Sequence, residues 1–389
     1  MALDPGDDAS VLGRFVGKDG FGVHAASQYR TLIRVLDAAP GLLPRSHRHG
    51  SLDLVPPDDW TSGFFPGCLW LLHELTGEID LADAARRFTD RLRDVPRMKH
   101  THDLGFMVEC SFGNAWRLRR DTADAAAMVE AAHSLAGRFD PRVGLIRSWD
   151  FGDWRYPVII DNMMNLGLLF EAAELSGNGA LREVARRHAD RTMETHFRPD
   201  GSCVHLADFD PETGNLLARQ TVQGHSDTSA WSRGQAWAIH GFSAMYRWTG
   251  DDRYRLRAER TAAFWLEHPR LPDDGVPYWD FDDPAIPHAQ RDSSAAAVAA
   301  SAFVHLAGNG AGSSARVWIR CAERILRSLL SPSYLAAVGE NGGFLLRHGV
   351  GFLPVDKEID VPLAYGDYYL LEALVRLRRI RAAVTSGLR

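Results

Sequence analysis

The chain has 389 residues, of which 45% are hydrophobic and 24% charged. That is the composition of a globular protein with length enough for a large core. The formal net charge of -6 argues against a nucleic-acid binder, which presents a basic face. The acidic start MALDPGDDAS has no apolar stretch of the kind a secretory signal needs. The run AAAVAASAFVHLAG is too short to cross a bilayer and reads as a buried helix. A cytoplasmic protein with no membrane span is expected, as one domain over 1–389 with about 1–20 as an N-terminal extension.

In chain order, a first helix is expected near 23–37. Four later segments share one pattern: LLHELTG (71–77), LFEAAELSG (169–177), AMYRWTG (244–250) and FVHLAG (303–308). Each is apolar at helical spacing and stops at glycine, the usual residue just past a helix end. A second amphipathic helix rich in Ala and Arg follows each one: DLADAARRFTDRL, ALREVARRHADRTM, RYRLRAERTAAFWL and SARVWIRCAERILRSLL. FGNAWRLRRDTADAAAMVEAAHSLAG is a looser copy, and a last helix is expected near 364–379. Recurring helical hairpins make a solenoid or a closed toroid. Roughly twelve helices in six hairpins is the number that closes an all-α (α/α)6 barrel; an open solenoid is the alternative.

Several signals carry little. Cys68, Cys110, Cys203 and Cys321 are far apart with no CxxC pair, and read as reduced thiols. HRH at 47–49 has no carboxylate or cysteine at ligand spacing, so no metal is expected. GNGAG at 308–312 lacks the Lys-Ser/Thr of a phosphate loop and reads as a turn.

The connections between hairpins are long and full of Pro, Gly, Trp, His and Asp, as in GRFDPRVGLIRSWDFGDWRYPVIID. Long loops on one face of a repeat array carry its binding site. An aspartate stands where each inner helix is expected to begin: Asp103, Asp161, Asp227, Asp292 and Asp367. Asp is a favoured helix N-cap, so each can be a cap alone. Gathered at one mouth of a toroid, the same five would form a carboxylate ring, in which burial and like charge can keep one acid protonated. Asp103 and Asp161 stand out by their apolar neighbours Leu104, Phe106, Ile159, Ile160 and Met163.

The stretch QGHSDTSAWSRGQAW (223–237) places Trp231, Arg233 and Trp237 in what is expected to be the first turns after Asp227. Tryptophan faces stack on sugar rings, and the arginine fork suits a carboxylate. The cluster suits an acidic sugar; a buried Trp pair with Arg233 salt-bridged to an aspartate is the other reading.

DDWTSGFFPGCLWLL, HDLGFM, IIDNMMNLGLLFEA, QGHSDTSAWSRGQAW and YGDYYLLEAL run from about residue 58 to 375. With these the chain resembles the unsaturated glucuronyl hydrolases, glycoside hydrolase family 88. The resemblance implies an (α/α)6 barrel acting, without metal or organic cofactor, on oligosaccharides made by polysaccharide lyases. It implies hydration of the vinyl ether of a 4,5-unsaturated uronic acid, and makes Asp161 the acid/base and Asp103 its assistant. Sugar-contacting positions fall on Trp60, His205, Gln223, Trp231, Arg233 and Trp237. Members that act on sulfated fragments carry Ser-x-x-Ser-x-Lys in the C-terminal loop, where this chain has Phe352, Val355 and Lys357. Lysine remains, but Phe and Val offer a sulfate no donor, so unsulfated uronides are expected. A sugar epimerase or a non-catalytic glycan-binding toroid on the same barrel are the alternatives. Loss of the near-ultraviolet absorbance of the conjugated double bond distinguishes them.

Overall fold

Gly77, Gly177 and Gly250 end their helices in the left-handed conformation, with φ of 80°, 71° and 68°, where a side chain would be strained. The fourth glycine departs from the pattern: its helix runs on through Gly308 to Asn309. The computed structural model describes residues 20–309 and 312–385. The expected N-terminal extension, apart from Gly20, and the centre of the 308–312 turn lie outside the described residues.

Twelve α-helices are described. The outer ones are α1 (Phe21–Asp37), α3 (Ile79–Asp90), α5 (Thr122–Ala136), α7 (Gly179–Thr195), α9 (Asp252–Glu267) and α11 (Gly312–Leu329). The inner ones are α2 (Phe64–Thr76), α4 (Asn114–Arg119), α6 (Leu166–Ser176), α8 (Ser232–Thr249), α10 (Ser293–Asn309) and α12 (Ala364–Thr385). A π-helix (Gly105–Gly113) leads directly into α4, which explains why that repeat looked loose in sequence. Each inner element packs on the next, and α12 returns to α2, so the ring closes and the open solenoid is set aside. The molecule is an (α/α)6 toroid.

The inner helices are apolar almost all round because both sides are covered; α2 buries Phe64, Phe65, Cys68, Leu69, Trp70, Leu71, Leu72 and Leu75. Their close approach depends on small residues. A Cβ on Gly63 would sit 2.3 Å from the Met107 carbonyl oxygen, and one on Gly105 would sit 2.5 Å from Asn165 Cα. The four cysteines are free.

The long loops fold into small sheets over one end of the ring. β1 (Leu43–Arg48) pairs with β2 (Ser51–Val55), β3 (Phe139–Asp140) with β4 (Leu145–Ile146), and β8 (Gly349–Phe352) with β9 (Lys357–Val361), all antiparallel. A three-stranded sheet joins β5 (Pro157–Ile159), β6 (Leu206–Phe209) and β7 (Leu216–Gln220) in that order. Among the described residues no helix is long and apolar enough to cross a membrane.

Candidate active site

The β5–β6–β7 sheet sets three side chains side by side. Ile159 pairs with Leu206, and the Ile160 N–H donates to the His205 carbonyl at 2.9 Å, so Asp161 and His205 leave adjacent strands together. After β7, the N–H groups of Val222 and Gln223 donate to His205 Nδ1 at 3.0 and 3.3 Å. Nδ1 is therefore an acceptor, and the ring proton sits on Nε2. Gln223 is held in turn by a bond from its Nε2 to the Gly351 carbonyl at 3.2 Å.

Asp161 lies in a 3-10 turn (Ile160–Asn165) that opens α6. Asn165 ties this turn to the π-helix: its Oδ1 accepts from Phe106 N at 2.9 Å, and its Nδ2 donates to the Asp161 carbonyl at 3.3 Å. The irregular starts of two inner helices are thereby locked together, with Asp103 at the head of the π-helix. Thr101 Oγ1 donates to Asp103 Oδ2 at 2.7 Å.

These groups surround a cavity of about 230 Å³ at the loop-bearing mouth. Its wall includes Trp60, Asp103, Asp161, His205, Gln223 and Arg233, all named from sequence. Asp161 is 8% exposed, and its Oδ2 makes no hydrogen bond within the protein. Burial pushes its carboxyl up to about 7, with Arg233 opposing the rise and Asp103 adding to it. His205 Nε2 stands 3.8 Å from Asp161 Oδ2. Burial, with Arg233 next, pushes His205 down to about 3, so its imidazole is neutral at ordinary pH.

The expected ring of five carboxylates is not what forms. Asp103 and Asp161 are joined on the wall by Glu358, while Asp292 and Asp367 are fully buried behind it. Asp292 is a true cap, accepting from Ser294 N at 3.0 Å. Asp367 sits inside α12 and accepts from Leu345 N, Leu346 N and the Tyr29 hydroxyl. Asp227 does not begin the inner helix, which starts at Ser232 with Trp231 as its cap position. It lies exposed in the preceding loop, accepting from Thr221 N at 2.8 Å.

The Trp/Arg cluster is split between the wall and the layer behind it. Arg233 is 1% exposed and donates to Asp292 Oδ2 at 3.0 Å, to the Gly351 carbonyl at 2.7 Å and to the Val350 carbonyl. Those bonds, two from Nη1 and one from Nη2, are the ion-paired reading of the cluster, and Arg233 stands at the same time on the cavity wall. Trp231 and Trp237 form a layer behind the wall. Trp231 packs on His205 at 4.8 Å between ring centres and lies beneath the Arg233 guanidinium. Trp237 is fully buried between Phe106 and Tyr369, and its N–H favours the ionised form of Asp161. Lys357 is exposed, away from the cavity. Its neighbour Glu358 takes the place on the wall, with a left-handed φ of 55° and its carboxylate bound by Arg45 Nε at 2.6 Å.

Sequence reasoning missed Arg45, His102, Tyr365 and the aromatic set Trp149, Phe151 and Trp154, all on the wall. The three aromatics were visible as WDFGDW inside a long loop; nothing in the spacing said that Trp149 would stack on Phe151 and meet Trp154 edge-on at the cavity.

No protein-family model matches the chain. It is 45% identical to the unsaturated glucuronyl hydrolase of Formosa agariphila over 329 residues, covering 84% of this chain and 82% of that one. The chain belongs to the unsaturated glucuronyl hydrolases. Against a crystal structure of an unsaturated glucuronyl hydrolase specific for heparin, the TM-score is 0.88 at 44% identity, over 92% of this chain and 97% of that one. An unsaturated chondroitin disaccharide hydrolase of Streptococcus agalactiae is 34% identical, over 82% of this chain and 81% of its own. As an unsaturated glucuronyl hydrolase the chain is a glycosidase, and the cavity built around Asp161 is the candidate place for its chemistry.

Proposed function

We propose that Asp161 is the acid and base that hydrates the vinyl ether of a 4,5-unsaturated uronic acid at the non-reducing end of an oligosaccharide, with Asp103 assisting. The observation that carries this assignment is a buried carboxyl on the cavity wall whose Oδ2 has no partner within the protein; burial pushes it up to about 7. A general acid works best when its pKa lies near the working pH. Protonated Asp161 gives its proton to C4, and positive charge grows at C5 with help from the ring oxygen. The Asp161 carboxylate then takes a proton from the water that adds at C5. The resulting hemiketal opens and releases the rest of the sugar. One water is consumed and the carboxyl returns to its starting state, so one group serves twice, unlike the divided pair of ordinary glycosidases.

The other groups take supporting roles. Arg233 favours the carboxylate that Asp161 becomes after giving up its proton. His205, neutral and with its proton on Nε2, is a donor to the sugar and takes no part as an acid. Trp60, packed on Phe106 and Tyr365, offers an apolar face to the ring.

The preferred substrate is an unsulfated unsaturated uronide. Phe352 is on the cavity wall and has no donor for a sulfate. Val355 is 57% exposed and outside the wall, so Phe352 alone supports the preference. The test is a panel of unsaturated disaccharides, sulfated and not, followed by loss of near-ultraviolet absorbance. No loss with any member would end the hydration reading.

A further inference from the structure

His102 has no part in the chemistry so far, yet it is on the cavity wall and 3% exposed. Its Nε2 lies 3.3 Å from Asp103 Oδ1. Its Nδ1 and Asn162 Oδ1 are both shut off from solvent, and neither has a hydrogen-bond partner elsewhere or within bonding geometry of the other. The Asn162 amide is oriented by bonds from Nδ2 to the Ile146 carbonyl at 2.8 Å and to Ser148 Oγ at 3.1 Å. Oδ1 is thus left as an acceptor, and it acts on His102 as one. Asn162 is the residue next to Asp161. The His102 ring therefore stands between the segment that carries Asp103 and the one that carries Asp161.

We propose that His102 is a positioning residue: it fixes Asp103 by holding one proton between Nε2 and Oδ1, and keys the Asp103 segment to the Asp161 turn through Asn162. With Nδ1–H directed at Asn162, a bare Nε2 would turn its lone pair on the carboxylate. A proton between Nε2 and Oδ1 removes that conflict and tempers the negative charge that Asp161 meets. The charged and titratable neighbours are Asp103, Arg138, His188 and His205. Burial disfavours the charged ring, Asp103 favours it, Arg138 disfavours it and Asn162 favours it. Thr101 fixes the other oxygen of Asp103.

This inference rests on Asp161 as the acid, and the experiment separates the two. Wild-type, His102→Gln and His102→Ala enzymes are assayed by loss of near-ultraviolet absorbance across pH. His102→Gln keeps an amide donor toward Asp103 but cannot hold the proton. We expect His102→Ala to lose about 10- to 100-fold in kcat with KM changed less than about threefold, as for loss of a charge-assisted contact made at the reacting centre. His102→Gln recovers part of that loss. Its descending pH limb moves upward, because an untempered Asp103 raises Asp161 further. Proton NMR adds a readout independent of turnover: a far-downfield imidazole N–H in the wild type, absent from His102→Gln and from Asp103→Asn. A His102→Gln enzyme with wild-type kcat and an unmoved limb overturns the inference, as does a wild type without the downfield proton. If His102→Ala does not fold, the His102→Gln profile and the NMR signal decide. A wild type that shows no descending limb at all overturns the assignment of Asp161, not the placement of His102.

Discussion

Arg233 and Asp292 form an ion pair with no access to solvent: their side chains are 1% and 0% exposed and 3.0 Å apart. The pair joins the start of α8 to the cap of α10, and the carbonyls of Val350 and Gly351 take further guanidinium protons. Removing one member of a buried pair leaves the other charge unpaired and costs about 3–5 kcal/mol. Arg233→Ala is therefore expected to lower the melting temperature sharply, and Asp292→Asn to do so comparably. In the Arg233→Ala protein that stays folded, the activity limb set by Asp161 should move to higher pH, because the opposing charge is gone. Calorimetry and a pH–rate profile on one preparation check both. A melting temperature unchanged in either variant would show that the pair is not structural.

Asp161→Asn should lose about 10²–10⁴ in kcat, the usual worth of a positioned acid or base. It should also gain stability in a pH-dependent way. The folded-state pKa, about 7, is above the ordinary 3.8. The native state therefore holds a proton that the unfolded chain has released, and the wild type loses stability as pH rises from about 4 through 7. At about 1.4 kcal/mol per unit the penalty reaches about 4 kcal/mol above that window. The melting-temperature gain of Asp161→Asn over wild type should thus be small at pH 4 and large at pH 8. An equal gain at both would show that Asp161 titrates normally.

His205 should show no titration between pH 5 and 8 by NMR, and its proton should reside on Nε2. His205→Asn can still accept the N–H groups of Val222 and Gln223 but loses the Nε2–H donor. A loss of about tenfold or more in kcat/KM is expected, since a bond to a charged group is worth about 1.5–3 kcal/mol. The pH of the descending limb should stay within a few tenths of a unit. A His205 signal that titrates near 6.5 would remove it as a fixed donor.

Phe352→Ser is expected to narrow the gap between unsulfated and sulfated disaccharides, raising kcat/KM for the sulfated one several-fold. Paired assays of wild type and variant on both sugars give the ratio. If the wild type already favours the sulfated disaccharide, the reading of this wall position is wrong.

The toroid was legible because its signal is local and repeated: helical spacing that ends in glycine needs no knowledge of distant contacts. Asp161 and Asp103 were legible as candidates by their apolar neighbours, but the choice between them came from family resemblance. What sequence does not carry is placement across space. That Arg233 pairs with Asp292 depends on α10 lying beside α8, and no spacing in WSRGQAW contains that. Asp227 was misplaced because an aspartate in a tight loop and one at a helix start look alike in sequence. His102 passed unseen because its function, on this reading, is set by Asn162, which sequence separates from it and the toroid brings close.

The π-helix from Gly105 to Gly113 holds a reserve of chain length between Asp103 and the ring. Each i→i+5 bond holds one residue more than an α-helical bond does. Deleting one residue from a regular α-helix would turn everything ahead of it by about 100° around the axis and slide it about 1.5 Å. Deleting one residue within the wide run lets it close as ordinary α-helix, and the residue lost is the one the wide turns had absorbed. The two ends then stay near their present alignment, with Asp103 at the mouth and Asn114 bonded to the Tyr368 hydroxyl. Such a shortened enzyme should be folded and still turn over, where the same deletion in α2 or α8 should not be tolerated.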